Sequence, residues 1–135
     1  MRVVIDTNIL VSALLSPHSA PADLISHWRR GGLTLVTSRT QLEEVRRVLA
    51  YPKIRGRLQP HRAGRLINDL RQLAVIIEDL PDIAVSPDPH DDHLLAAADV
   101  GRAHLIVTGD RRDLLSLGRY KGIRIVTVRA FLDEL

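Results

Sequence analysis

Short apolar runs alternate with longer amphipathic stretches along the chain. The runs at 2–6, 33–37, 104–108 and 123–128 are rich in Val, Ile, Leu and Thr, and each predicts a short buried strand. A further strand is predicted over 75–79. Strands that are almost continuously apolar are typical of a parallel sheet covered by helices on both faces.

The stretches between the strands have apolar residues at helical spacing, and the proline-rich stretch 81–89 predicts a loop. Ser38 is a candidate N-cap, and Gln41 three residues later would complete a capping box. Helices are predicted over 9–15, from Ser19 to Gly31, from Ser38 to about Tyr51, from Pro60, from Asp91 or Asp92, and at the C-terminus. This order predicts an α/β protein with one domain over 1–135: a three-layer α/β/α sandwich around a mainly parallel sheet.

Composition places the chain among globular proteins and excludes several kinds of site. Of its 135 residues, 45% are hydrophobic and 26% charged, which is ordinary for a folded domain. There is no cysteine, so disulfides, thiolate metal sites and a cysteine nucleophile are excluded. Asp6 interrupts the first apolar run, and no run reaches the roughly 18 residues of a membrane span. We therefore expect a cytoplasmic protein with no membrane association.

The formal charge of +3 is unevenly distributed. Segment 46–71 carries eight basic residues against the single acid Asp69. Such a segment is either a solvated helix face or a surface that contacts phosphates or an acidic partner. The candidates for such contacts are Arg46, Arg47, Arg55, Arg57, Arg62 and Arg65.

Two acids stand at or just after the ends of predicted strands. Asp6 ends the first strand, and Asp110 follows the strand 104–108 after Gly109. Ligands of parallel α/β sheets bind beyond the carboxyl ends of the strands, so both acids are candidates for a shared site. Each could instead only cap the following helix. Asp113, one helical turn after Asp110, is a possible further ligand.

Two further acids are candidates on helices, and each has an acidic neighbour. Glu44 lies near the edge of the apolar stripe of its helix, whereas Glu43 points further outward. Asp91 and Asp92 begin a helix, where acids are also favoured by the helix dipole. His90 and His93 flank this pair and would either contact a phosphate or metal or lie in solvent.

Carboxylates that converge without cations repel each other and destabilise a fold. A hard divalent ion relieves that repulsion, and an all-oxygen ligand set favours Mg²⁺ or Mn²⁺ over zinc. Such ions promote phosphoryl transfer, so the acids point to phosphodiester hydrolysis. No HExxH, Walker A, GxGxxG or GxSxG motif offers a rival chemistry.

Three segments together resemble the PIN-domain nucleases, and most of all the VapC-like toxin components of bacterial toxin–antitoxin pairs. They are VVIDTNILVSALL near the start, TSRTQLEEVRRVLAYPKI in the middle, and SPDPHDDHLLAAADVGRAHLIVTGDRRDLL towards the end. The resemblance covers nearly the whole chain in the same order and spacing. It implies an endoribonuclease that depends on Mg²⁺ or Mn²⁺, forms homodimers and is neutralised by a small antitoxin.

The resemblance also assigns roles to individual residues. It implies that the metal ligands are Asp6, Glu44, Asp92 and Asp110, and the position of Asp113 makes it a possible further ligand. Thr7, Asn8, Ser38, Asp91 and Thr108 are expected to support them. The choices between Glu43 and Glu44, and between Asp91 and Asp92, depend on register.

Two other functions remain compatible with these residues. One is a non-catalytic RNA-binding or protein-interaction module in which the acids are structural. The other is a metal-dependent processing nuclease without a toxin role.

Overall fold

A computed structural model of the chain describes residues 1–109 and 112–135, except for the side chain of Arg112. Within this part of the chain, six strands form one sheet in the order β3-β2-β1-β4-β6-β5. The strands are β1 (Arg2–Ile5), β2 (Thr34–Ser38), β3 (Val75–Ile77), β4 (Leu105–Thr108), β5 (Arg119–Tyr120) and β6 (Ile123–Thr127). The sheet contains each of the predicted strands and the additional β5.

The first strand lies at the centre of the sheet. Val3 is paired with Leu35 on one side and with Leu105 on the other, both in parallel. The short β5 is antiparallel to β6, with Arg119 opposite Arg124. The mainly parallel sheet that the apolar runs predict is therefore confirmed, and its carboxyl edge brings the residues after β1 and β4 together.

Helices connect the strands and cover the sheet. They are α1 (Thr7–Leu15), α2 (Ala20–Arg29), α3 (Arg39–Leu49), α4 (Pro52–Arg55), α5 (Pro60–Leu73), α6 (Asp92–Val100), α7 (Arg112–Leu117) and α8 (Val128–Asp133), with a 3-10 turn at Pro89–Asp91. The four-residue α4 is not predicted from the sequence because it is too short to show a helical period. None of the helices in the described ranges is long and apolar enough to cross a membrane.

Alternating side chains of the strands build two separate cores. Val3 and Ile5 pack on one face with residues of α1, α2, α3, α5 and α8, among them the buried Phe131. Val4 and Ile106 point to the opposite face, where they pack with Leu94 and other residues of α6 and α7. Both faces of the sheet are thus buried, which confirms the three-layer α/β/α sandwich.

The start of α3 differs in one respect from the sequence prediction. Ser38 does cap the helix, since its Oγ accepts a hydrogen bond from the Gln41 amide at 3.0 Å. The predicted capping box is wrong, however, because the Gln41 side chain turns into the protein and bonds to Ile5 and Thr37 instead. A buried backbone carbonyl offers the Gln41 amide group a better partner than the helix terminus does.

Candidate metal centre

Asp6 lies at the carboxyl end of β1 and is only 2% exposed. Its Oδ2 accepts a hydrogen bond from the Thr108 hydroxyl at 2.8 Å, and its Oδ1 accepts one from the backbone amide of Asn8 at 3.2 Å. Asn8 therefore supports Asp6 through its backbone, while the residue itself is exposed. Asp6 caps α1 and faces the end of β4 at the same time.

The hydrogen bond between Asp6 and Thr108 joins the ends of two neighbouring strands. It places Asp6 at the edge of the sheet where β4 ends and the chain continues towards α7. Asp113 lies in the first turn of α7 and is partly buried. Asp110, the predicted ligand between them, lies outside the described residues, and its role stays a prediction.

Glu44 is tied to the end of β1 and to α6. Its Oε1 accepts a short hydrogen bond from the hydroxyl of Thr7, which directly follows Asp6. Its Oε2 lies 3.4 Å from Nε2 of His93. The side chains of Glu44 and His93 are 23% and 14% exposed, so they meet at the border between core and solvent. Of the alternatives left open for His93, the solvated position is therefore wrong, because its ring lies largely buried against the carboxylate of Glu44.

These contacts keep Glu44 ionised. Burial raises the pKa of the Glu44 carboxyl, but hydrogen bonds from His93 and Thr7 lower it, as do the positive charges of His93 and Arg47. The lowering effects prevail, and the pKa lies below its ordinary value. An anionic, oriented carboxylate is the form that a metal ion or a cationic partner requires.

A buried network behind Glu44 was not anticipated from the sequence. Gln41, 1% exposed, donates through Nε2 to the Ile5 carbonyl at 2.6 Å and more weakly to the Thr7 hydroxyl at 3.4 Å. Its Oε1 accepts a hydrogen bond from the Thr37 hydroxyl at 2.6 Å. Because Thr7 donates its only hydroxyl hydrogen to Glu44, the Gln41 network holds the residue that orients Glu44.

Asp92 binds the backbone of the loop that precedes α6. Its Oδ1 accepts hydrogen bonds from the backbone amides of Val85 at 3.1 Å and Ser86 at 2.7 Å. Asp92 is only 8% exposed, and these amides satisfy its charge in part. The structure thus places the predicted ligand Asp92 against the backbone of the loop.

Its neighbour Asp91 joins a different group of acids. One carboxylate oxygen each of Asp88, Asp91 and Asp113 lies within 4.8 Å of the other two. Asp91 is 4% exposed, and the other two are partly buried. Of the four predicted ligands within the described residues, Asp113 is in this cluster, Asp6 and Glu44 are linked through Thr7 at the end of β1, and Asp92 accepts amides of the loop.

The chemistry of this cluster fits a hard divalent cation. Oxygen ligands lie about 2.0–2.6 Å from Mg²⁺ or Ca²⁺, so oxygens on one ion are at most about 4–5 Å apart. The spacing between Asp88, Asp91 and Asp113 is within that limit. Carboxylates this close repel each other when ionised, and a cation among them removes the repulsion.

A groove of about 580 Å³ lies beside Glu44 and the loop before α6. Its lining includes six acids and three basic side chains. The acids are Glu43, Glu44, Glu78, Asp79, Asp82 and Asp92, and the basic residues are Arg47, His90 and His93. Such a groove repels a polyanion unless cations are bound in the groove or its basic residues offset the acids locally.

The predicted contact arginines do not form one patch. Arg47 lines the acidic groove, whereas Arg46 and Arg55 line an apolar groove between α3, α4 and α5. Arg62 lies beside Arg29 on the surface formed by α1, α2 and α5. Nε of Arg65 lies 3.6 Å from Oδ2 of Asp69. Arg57 is exposed next to α4. The basic residues of 46–71 are therefore distributed over several surface regions.

Sequence reasoning missed Asp88, Gln41 and the contact of His93 with Glu44. Asp88 carried one local signal, because an Asp that is followed directly by Pro often caps a turn. In the structure its Oδ1 does accept a hydrogen bond from the His90 amide at 3.0 Å. Gln41 gave no separate signal, because a polar residue in a helix is normally exposed.

Comparison with known proteins agrees with this architecture. A family model described as PIN domain matches residues 2–112. The chain is similar to the uncharacterized protein MJ1680 of Methanocaldococcus jannaschii, with 29% identity over 99% of this chain and 91% of the relative.

Proposed function

Because the chain belongs to the PIN-domain family, whose members are generally metal-dependent nucleases, we propose that it is a Mg²⁺- or Mn²⁺-dependent endoribonuclease. The observation that supports the proposal is that acids from separate elements gather in two groups. Asp6 lies at the carboxyl end of β1, where the adjacent Thr7 donates to Glu44, and Asp91 and Asp113 lie together with Asp88 in the acidic cluster.

The proposed ligands are Asp6, Glu44, Asp91, Asp110 and Asp113. Asp91 takes the place that the resemblance gave to Asp92, because Asp91 is in the cluster while Asp92 accepts amides of the loop. When bound, a divalent ion at such a site supplies Lewis acidity towards a phosphodiester and promotes ionisation of water.

The chain's own residues prepare this site before any ion or substrate arrives. Thr108 and Thr7 donate hydrogen bonds to Asp6 and Glu44, which fixes one oxygen of each carboxylate. Arg47 and His90 line the groove beside Glu44, and in this proposal they contact substrate phosphates. Such contacts would position a nucleic acid without reading its sequence.

Substitution of single acids tests the enzyme proposal. We expect Asp6→Asn and Asp91→Asn each to reduce RNA cleavage about a hundredfold or more, since each removes an anionic ligand while keeping the side-chain size. Purified wild type and variants would be compared with Mg²⁺, with Mn²⁺ and with EDTA. The melting temperature of Asp6→Asn in EDTA should be unchanged or higher, because repulsion between carboxylates falls.

A matched control is Asp79→Asn, which removes the same charge from an exposed residue of the acidic groove. It should leave cleavage within about twofold, since rim charges act mainly at long range. Cleavage that persists in EDTA would refute the metal-dependent mechanism. Retained RNA affinity without any cleavage in wild type would favour the non-catalytic binding module.

We propose further that the chain acts in the cytoplasm as a homodimeric toxin component with a small antitoxin as partner. The excess of arginine over 46–71 supports this, because it fits an acidic segment of a partner as well as RNA. Expression of wild type should arrest growth, and Asp6→Asn should not. Normal growth with active wild type would remove the toxin role and leave a processing nuclease.

A further inference from the structure

A small basic pocket lies on the surface formed by α1, α2 and α5, away from the acidic groove. It has a volume of about 190 Å³, and among the described residues its lining holds four basic side chains and no acid. The basic residues are Arg29, His61, Arg62 and Arg65, and the buried Leu14 is the apolar part of the lining. Two helices far apart in the sequence, α2 and α5, thus bring their positive charges to one place.

One carboxylate holds part of this pocket in position. Oδ2 of Asp69 accepts a hydrogen bond from Nε of Arg29 at 2.8 Å and lies 3.6 Å from Nε of Arg65. The side chains of Arg29 and Asp69 are both partly buried, so this ion pair is shielded from water. A guanidinium group has five N–H donors, and the bond from Arg29 to Asp69 uses only its Nε.

The basic pocket has an excess of positive charge. Three guanidinium groups face one carboxylate, because Asp69 is the acid that pairs with them in the part of the chain that the structure describes. Arg62 forms no ion pair within those residues and is partly buried. Guanidinium groups bind phosphate oxygens through paired N–H donors, so the pocket has the charge and the donors for a phosphate group.

The position of the basic pocket relative to the candidate metal centre fits a strand that reaches both. Asp6 caps the start of α1, and Leu14 lies in the last turn of the same helix. Eight residues at 1.5 Å each separate them by about 12 Å along the helix axis. Because a stacked strand rises about 3.4 Å per nucleotide, about four nucleotides span this distance.

We propose that the basic pocket binds a phosphate group of the RNA substrate, at least about four nucleotides from the cleaved bond, through Arg29, Arg62 and Arg65. This inference rests on the proposed nuclease function. An acidic segment of a protein partner is a weaker fit, because protein interfaces depend on apolar anchors and Leu14 is buried at the base of the pocket.

RNA binding by the full chain tests the assignment. In the non-cleaving Asp6→Asn background, Arg62→Gln should weaken binding of a single-stranded RNA of about ten nucleotides roughly tenfold, measured by fluorescence anisotropy. The matched control is Arg30→Gln, which removes the same charge from an exposed arginine outside the pocket lining. It should change the affinity less than about twofold.

The length of the RNA gives a readout that a change in overall charge would not move. An RNA of about three nucleotides is too short to reach from the metal centre to the basic pocket when stacked, so Arg62→Gln should leave its affinity within about twofold. Arg62→Gln should also melt within about 2 °C of the Asp6→Asn background, since Arg62 has no ion pair in the described residues.

The outcomes separate this inference from the function on which it rests. If Arg62→Gln and Arg30→Gln weaken RNA binding equally, the pocket is no phosphate site and the nuclease proposal stands. If Arg62→Gln keeps full RNA affinity but loses binding of a poly-glutamate peptide that the background protein binds, the pocket holds a protein segment and the inference is wrong. If wild type neither binds nor cleaves RNA with Mn²⁺ present, the proposed function itself is refuted.

Discussion

Glu44 shows how single contacts decide the state of one residue. Partial burial alone would favour its neutral form, but Thr7, His93 and Arg47 together favour the anion. Because its pKa in the folded chain lies below the ordinary value of 4.5, ionised Glu44 stabilises the fold near neutral pH. That contribution is fully present above 4.5 and is lost as the pH falls through the lowered pKa.

We therefore expect Glu44→Gln to be less stable than wild type near neutral pH, with a difference that shrinks as the pH falls below 4.5. Glutamine keeps an acceptor for Thr7 but cannot titrate. Melting temperatures measured in EDTA across the acid range would show this trend. Glu43→Gln, an exposed neighbour on the same helix, should show no such trend. A gap between wild type and Glu44→Gln that stays constant into acid would contradict the assignment.

Helix α3 has one face that packs in the core and one that borders the acidic groove. Val45 and Leu49 are buried in the core, while Glu44 borders the groove. Gln41 lies on the buried side, where its side chain forms hydrogen bonds with the Ile5 carbonyl and the Thr37 hydroxyl. The helix is therefore hydrogen-bonded to two strands of the sheet. This bonding sets the rotation of α3 and thereby the direction in which Glu44 points.

Replacing Gln41 with an apolar residue should weaken the attachment of α3 to the sheet. We expect Gln41→Leu to lower the free energy of unfolding by about 1–3 kcal/mol, because the Ile5 carbonyl and the Thr37 hydroxyl lose a buried partner. Denaturant unfolding in EDTA would measure the loss. A substitution on the exposed side of the helix, Arg46→Gln, serves as the control and should stay within about 0.5 kcal/mol. Unchanged stability of Gln41→Leu would show that the network contributes little.

At the scale of the whole molecule, charge is separated by location. The groove beside Glu44 is mainly acidic, whereas the arginines of 46–71 other than Arg47 lie outside its lining, on α3, α4, α5 and the loop between α4 and α5. Acids can gather in the groove because a cation can neutralise them, and arginines outside it can hold the phosphates that flank a cleavage site. Under the proposed function, the two surfaces bind different parts of the same substrate.

The salt dependence of RNA binding tests this division. With Asp6→Asn as a non-cleaving background, Arg55→Gln should reduce the slope of log affinity against log salt by about 0.7 if Arg55 contacts one phosphate of a single strand. Arg129→Gln, an exposed arginine on α8 outside the basic segment, should leave the slope unchanged. Equal effects of both substitutions would mean that net charge, and no defined surface, governs binding.

Much of the fold was determined by sequence pattern, since apolar runs and helical periods are local properties. The runs predicted the parallel strands, and Asp6 directly follows β1 as the first apolar run predicts. The antiparallel β5 and the short α4 escaped prediction because elements of two and four residues show no period.

Only the tertiary structure decided which of two adjacent acids enters the cluster. Asp91 and Asp92 have the same charge and the same place at the start of α6, yet their side chains leave the backbone about 100° apart. Asp92 turns to the amides of Val85 and Ser86, which leaves Asp91 to meet Asp88 and Asp113. Contacts between distant parts of a chain form only on folding, so no local pattern could have distinguished the two.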